Sequence, residues 1–172
     1  MDFPTNPPEA LSITEGDVKS VIETILTPQQ VTQVEKVLLS AKTKKLVFKM
    51  NNDFTRSDLE NLAPDFNKML SSHDGSVFKG VIVTTAGDES SGLHFLSRYF
   101  APWNGIPEDP VSGSAHTVLA PYWSTLTQLT TMRARQCSKR GGNLIVTVRE
   151  DGRTEISGQA TMVIRGTIDI PC

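Results

Sequence analysis

Carboxylates, hydroxyls and an imidazole crowd into one short stretch of the chain, Glu108-Asp-Pro-Val-Ser-Gly-Ser-Ala-His116. Pro110 biases Asp109 toward an extended backbone, and Gly113 lets the main chain come close to a ligand. The run Ser114-Ala-His-Thr-Val-Leu-Ala-Pro-Tyr-Trp123 reads as a helix that is apolar around most of its circumference. Such a helix is surrounded on most sides. Its first N–H groups have no intrahelical partner and carry partial positive charge, so its start suits a carboxylate or phosphate. Ser112 or Ser114 can donate a hydroxyl to that ligand or act only as the N-cap, and the two roles weigh evenly. Near this helix start Asp109 is favoured in its charged form. It is then a poor proton donor and a good acceptor for a substrate ammonium or hydroxyl.

Other reactive residues weigh less. His116 lies one turn into the helix, where a satisfied buried histidine outweighs a substrate contact. His73, His94 and His116 share no ligand spacing with each other or with Cys137 and Cys172, so no metal site is expected. Arg133, Arg135, Lys139 and Arg140 read as a solvated face. Arg140-Gly-Gly142 is the better binding candidate, because Gly141 and Gly142 give a basic residue a flexible loop. Lys42, Lys44 and Lys45 read as charge guarding a strand edge rather than as a phosphate patch.

The elements that must position these groups follow from periodicity. Pro4, Pro7 and Pro8 make an extended lead-in. Thr14-Glu-Gly-Asp17 resembles a capping box before Val18, Val21, Ile22, Ile25 and Leu26, a helix that ends before Pro28. Strands are predicted over 31–40, 44–50, 77–85, 93–100, 132–137, 144–149, 154–156 and 159–170. A capped turn is predicted at 57–60, a second helix at 63–70, and a tight hairpin at Glu150-Asp-Gly-Arg153. Pro121 should kink the central helix or mark its last turn. Many strands with few helices make an α+β, mostly antiparallel fold whose sheet curls around the central helix.

Composition narrows the partners. The chain has 172 residues, 38% hydrophobic and 21% charged, with 17 basic against 19 acidic side chains and a net charge of -2. That length suits one ordinary domain or two very small ones, the composition is globular, and the near balance of charge gives no field to attract nucleic acid or an anionic membrane. No run reaches the roughly 18 apolar residues of a membrane span. The first residues lack the basic and apolar regions of a signal peptide. Two cysteines without metal spacing leave a disulfide unforced and favour a reducing, cytoplasmic setting.

The stretch Arg98-Tyr-Phe-Ala-Pro-Trp-Asn-Gly-Ile-Pro-Glu-Asp-Pro-Val-Ser-Gly-Ser-Ala-His116 resembles the second-half signature of the PhzF-like family of phenazine-biosynthesis proteins. Gln136-Cys-Ser-Lys-Arg-Gly-Gly142 and the Asp151-Gly152 hairpin fit the family's next segments. The likeness runs from about Met1 to Ile168, with Ser112 standing where the family more often has Thr. It implies a fold similar to diaminopimelate epimerase, built from two halves that each wrap a sheet around a helix, with the active site between them. It also implies that residues 1–172 form a single domain matching the second half. Asp109 and Ser114 would then be the catalytic-cleft residues, with Ser112, Gly113, His116, Arg140 and Gly141 binding substrate. The family's general acid/base glutamate and its Gly-His motif belong to the first half and have no counterpart here. Ser114 occupies the helix-start position where two-thiol epimerases carry cysteine, which disfavours thiol chemistry.

The resemblance therefore implies an isomerase that moves a proton on a small carboxylate without metal or cofactor, present here as the half lacking its acid/base. The expected ligand is a small anionic metabolite, with a second copy or another protein against the open cleft face. The contrasting expectation is a non-catalytic short form that serves as a binding or regulatory module. A third is an incomplete gene model.

Overall fold

The computed structural model describes residues 1–11, 16–87 and 89–168. The proposed capping residues Thr14 and Glu15, and Cys172, lie outside the described residues. The chain begins with β1 (Asp2–Pro4) and β2 (Glu9–Leu11), then α1 (Gly16–Ile22) and the single helical turn α2 (Pro28–Val31). It continues through β3 (Val34–Ser40), β4 (Lys45–Met50), α3 (Arg56–Glu60) and α4 (Phe66–Ser72). Next come β5 (Gly80–Ala86), β6 (Phe95–Ala101), β7 (Ile106–Glu108) and α5 (Gly113–Thr127). It closes with β8 (Thr131–Gln136), β9 (Gly142–Val148) and β10 (Arg153–Gly158).

Among the described residues all ten strands belong to one sheet, in the order β1-β10-β9-β8-β6-β5-β4-β3-β2, with β7 beside β6. Pairing is antiparallel except between β4 and β5 and between β6 and β8. The sheet is therefore mixed, and the fold is α+β. The two ends of this path, β1 and β2, are consecutive in the chain, separated only by residues 5–8.

β4 and β6 are buried at every position, as expected of strands covered on both faces. Alternation along β4 sends Leu46, Phe48 and Met50 into a cluster with Val18 and Ile22 of α1, Leu59 of α3 and Met69 of α4. Val47 faces the other way, into a cluster with Ala115, Val118, Leu119 and Trp123 of α5. That second cluster takes Leu38 from β3, Ile82 from β5, Tyr99 from β6, Met132 from β8, Val146 from β9 and Ile156 from β10.

Several elements differ from expectation, each for a local reason. Val31 closes α2 instead of opening a strand, because Thr27 and Gln30 form a reciprocal capping box around Pro28. The turn at 57–60 is helix α3, capped two residues earlier by Thr55 with Asp58 as its reciprocal partner. Pro64 stays outside α4, which Asp65 caps. Of the strand expected over 159–170, residues 159–168 form none, since among the described residues no strand lies beside them to complete a ladder, and 169 and 170 lie outside the described residues. Pro121 does not end α5, which runs on to Thr127. Proline cannot donate to the Thr117 carbonyl, and the Asn6 backbone N–H takes that acceptor instead at 3.0 Å. The Asn6 side chain adds a bond to the Thr117 hydroxyl at 2.9 Å. Lys45 is buried rather than guarding an edge. It lies 5.7 Å from the centre of the Tyr99 ring, and burial lowers its pKa.

Candidate functional site at the start of the central helix

Three elements hold the stretch that leads into α5. Arg98 of β6, 7% exposed, makes two bonds to Glu108 at 2.7 and 2.9 Å and donates to the Leu59 and Leu62 carbonyls at 3.2 and 2.7 Å. A buried guanidinium with this many acceptors fixes β7 and the loop after it against α3. The Asp109 backbone N–H donates to the Tyr99 carbonyl at 3.0 Å, and its carboxylate accepts from the Val111 N–H at 3.2 Å.

Ser112 is the N-cap of α5: its backbone is extended and its hydroxyl accepts from the Ala115 N–H at 3.2 Å. The same hydroxyl lies 3.2 Å from that of Ser114, which is exposed. Gly113 and Ser114 open the helix, and among the described residues no hydrogen bond from either amide is found. Two N–H groups without a partner therefore stand at the positive end of a fifteen-residue helix, beside the exposed Ser114.

The floor beneath this start is polar and closed. Gln136, fully buried at the end of β8, accepts from the Ser112 N–H at 2.8 Å and donates to the Asp109 carbonyl. Ser138 donates to the Pro110 carbonyl at 2.7 Å and accepts from the Gly141 N–H at 3.0 Å. Gly142 allows the turn to seat on β9: a Cβ there would lie 2.6 Å from Cγ2 of Val111. Gly141 has φ +65°, in the left-handed region that favours glycine.

His116 is fully buried. Its Nδ1 lies 2.7 Å from the Ser112 carbonyl, which can only accept, so Nδ1 carries the proton and Nε2 is left without a partner. Burial lowers its pKa, while the Ser112 carbonyl and the Asp109 charge oppose the shift. The ring is neutral at pH 7. Tyr99 is raised to about 12, by burial first and by the Asp109 charge second.

A cavity of about 640 Å³ adjoins the helix start. Its wall brings together Gly113, Val111, Arg140, Gly141, Ile156 and the segment from Gly158 to Thr161. Three of the predicted site residues, Gly113, Arg140 and Gly141, thus share one wall. Asp109, Ser112, Ser114 and His116 lie outside it: Ser114 on the exposed helix start, Ser112 and His116 buried beneath, and Asp109 half-buried beside them. Gln136 and Ser138 were not singled out by sequence reasoning. Their only signal was membership of the Gln136-to-Gly142 motif. Among the described residues no three His, Cys, Asp or Glu side chains are placed to share a metal ion. No described helix is long and apolar enough to cross a membrane.

The geometry has clear relatives. A family model described as phenazine biosynthesis-like protein (PhzC-PhzF) matches residues 1–166. The phenazine biosynthesis-like domain-containing protein of Bos taurus is 39% identical over 98% of this chain and 58% of its own length. A protein named as an uncharacterized isomerase in Pseudomonas aeruginosa is 33% identical over 99% of this chain and 57% of its own length. A crystal structure of a PhzF-family phenazine biosynthesis protein from Enterococcus faecalis superposes with a TM-score of 0.72 at 34% identity, covering 92% of this chain and 52% of that one. The chain thus spans less than three fifths of the length of the relatives it matches. On the family match, the relatives and the shared fold, the chain belongs to the PhzC-PhzF family of phenazine biosynthesis-like proteins.

Proposed function

We propose that this chain is the substrate-holding half of an isomerase that transfers a proton on a small, cyclic or amino-acid-like carboxylate. One observation carries the reading: the unpaired Gly113 and Ser114 amides stand at the exposed start of a buried helix beside a cavity. These amides and the Ser114 hydroxyl bind the substrate carboxylate, and Arg140 meets its charge from the opposite loop. Asp109 orients an ammonium or hydroxyl of the substrate. Such fixed dipoles favour charge that develops in the transition state without reorganising. Asp109 serves as an anchor: its carboxylate, half-buried and already accepting from the Val111 N–H at 3.2 Å, has lone pairs left to accept from the substrate. The carboxylate that moves the proton comes from outside this chain, and no metal or cofactor takes part.

The proposed architecture is a single domain, one half of an epimerase-like fold, with the sheet rolled around α5. Topology supports the roll. A flat path of nine strands would put β1 and β2 about 38 Å apart at ~4.8 Å per neighbour. The link from Pro4 to Glu9 reaches only about 18 Å. The buried, unpaired Cys137 thiol is consistent with the reducing, cytoplasmic setting proposed for the chain.

Solvent deuterium wash-in tests the division of labour. The 172-residue chain should bind benzoate at the Gly113 and Ser114 amides, seen as saturable shifts in a nitrogen–proton correlation spectrum, yet exchange no carbon-bound proton of cyclic or amino-acid carboxylates. Wash-in abolished by Asp109→Ala would overturn the assignment of the acid/base to another segment.

A second reading, a binding or regulatory module, draws on the apolar side chains of Met162, Val163, Ile164 and Ile168, which are 71 to 89% exposed. Size-exclusion chromatography separates the two readings: a clean monomer at all concentrations counts against a docking role.

A further inference from the structure

The open amides at the start of α5 require an explanation, because the sequence offers a second place for the helix to begin. Asp109 is a strong N-cap residue and Pro110 suits the first helical position. Half of that alternative cap is already made, since the Asp109 carboxylate accepts from the Val111 N–H at 3.2 Å. A helix starting there would send the Gly113 N–H to the Asp109 carbonyl and the Ser114 N–H to the Pro110 carbonyl. Both amides would then be consumed. In the structure those two carbonyls are already engaged, by the Gln136 amide and the Ser138 hydroxyl. Gln136 also holds the Ser112 N–H, which keeps Ser112 extended at φ -103°, ψ 113°.

We infer that Gln136 and Ser138 are positioning residues that set where α5 starts, holding the start at Ser112 and so keeping the Gly113 and Ser114 amides free for an anion. The helix is thereby stopped one turn short by side chains from a strand end remote in sequence. Ser138 also accepts the Gly141 N–H, so the same device ties the helix start to the Arg140–Gly141 loop across the cavity. The functional consequence rests on the anion-site reading above, but the choice of helix start does not.

The test uses the 172-residue chain, its Gln136→Leu and Ser138→Ala variants, and Thr85→Val as a control. Thr85 is a buried hydroxyl that donates to the Phe54 carbonyl on the other face of the sheet. Carbon-13 shifts of Pro110, Val111 and Ser112 report extended or helical backbone, and amide exchange at Gly113 and Ser114 reports whether those groups are bonded. The two site variants should move the shifts toward helix, slow exchange at both amides and weaken benzoate binding about tenfold, the worth of one competing hydrogen bond. Thr85→Val should lower the melting temperature and leave all three readouts unchanged, a split that a merely structural role for Gln136 would not give. Should Gln136→Leu fail to fold, the smaller Ser138→Ala change decides alone. Extended shifts with fast exchange in the folded variants would overturn the inference. Absence of saturable benzoate binding in the unmodified chain would overturn the anion site instead, while the shifts still judge the helix start.

Discussion

The two ends of α5 solve the same chemical problem in opposite ways. At the C-terminal end the helix closes its own carbonyls: Thr125 donates to the Pro121 carbonyl at 3.0 Å, Thr127 to that of Trp123 at 2.8 Å, and the Gln128 side chain to that of Thr125 at 2.7 Å. Gln128 then turns left-handed at φ 60°, and its N–H returns to the Ser124 carbonyl. At the N-terminal end the amides of Gly113 and Ser114 are left open, and the carbonyls before them are taken by side chains of another element. An end closed by local residues is a structural end. An end held open by distant ones is available for a ligand.

The comparison can be broken from the largest effect downward. Trp123 anchors the closed half, stacking on Phe95 at 5.5 Å and donating to the Thr84 hydroxyl at 3.1 Å. Trp123→Ala should cost about 3–5 kcal/mol in urea unfolding. Thr84 keeps its own bond to the Leu96 carbonyl, so no buried hydroxyl is stranded. Benzoate shifts at Gly113 under native conditions should survive, and their loss would show that the two ends are not independent.

Acid should act through the open half. His116 is held neutral by burial, with its folded pKa below the ordinary 6.5. Below 6.5 the unfolded chain binds a proton that the folded chain refuses. The contribution is therefore complete above that pH and is lost as pH falls toward the folded pKa. The slope cannot exceed about 1.4 kcal/mol per pH unit for one proton. Urea midpoints measured between pH 7 and 5 should fall in the parent chain and flatten in His116→Asn. An unchanged slope in the variant would assign the acid sensitivity elsewhere.

The caps should give the smallest effects and of opposite sign. Ser112→Ala removes the hydroxyl that caps Ala115 and should cost about 1 kcal/mol. Gln128→Gly relieves a left-handed backbone but forfeits the side-chain bond to Thr125, for a net gain of a few tenths of a kcal/mol. Both are read as shifts in melting temperature.

What the sequence made legible follows the range of the physics. α5 could be read because a helix apolar on most sides has only one kind of place to go, and Ala115 through Ala120 are buried without a break. The helix start could be read because Ser112, Gly113 and Ser114 are adjacent and their roles are local. Gln136 could not: a single glutamine at a strand end has no periodicity, and its meaning depends on a turn 24 residues away. Lys45 was misjudged for the same reason, since a lysine beside Lys42 and Lys44 reads as surface until Tyr99 is seen to shelter it. The segment 159–168 carries a strand's pattern but not its partner, and a pattern cannot supply the missing ladder.

The adjacency of β1 and β2 in the chain, at opposite ends of the sheet path, has a cost in time. β2 finds β3 within a few dozen residues, but β1 must wait for β10, and Asp2 meets Arg153 across a separation of 151 residues. On a ribosome, β1 would emerge before every other described strand and remain without its neighbour until nearly the whole described chain had been made. Asn6, which takes the carbonyl that Pro121 frees, sits on the same stretch. The seam that completes the sheet is thus also the contact that finishes the central helix, so both should form in the last and slowest folding step.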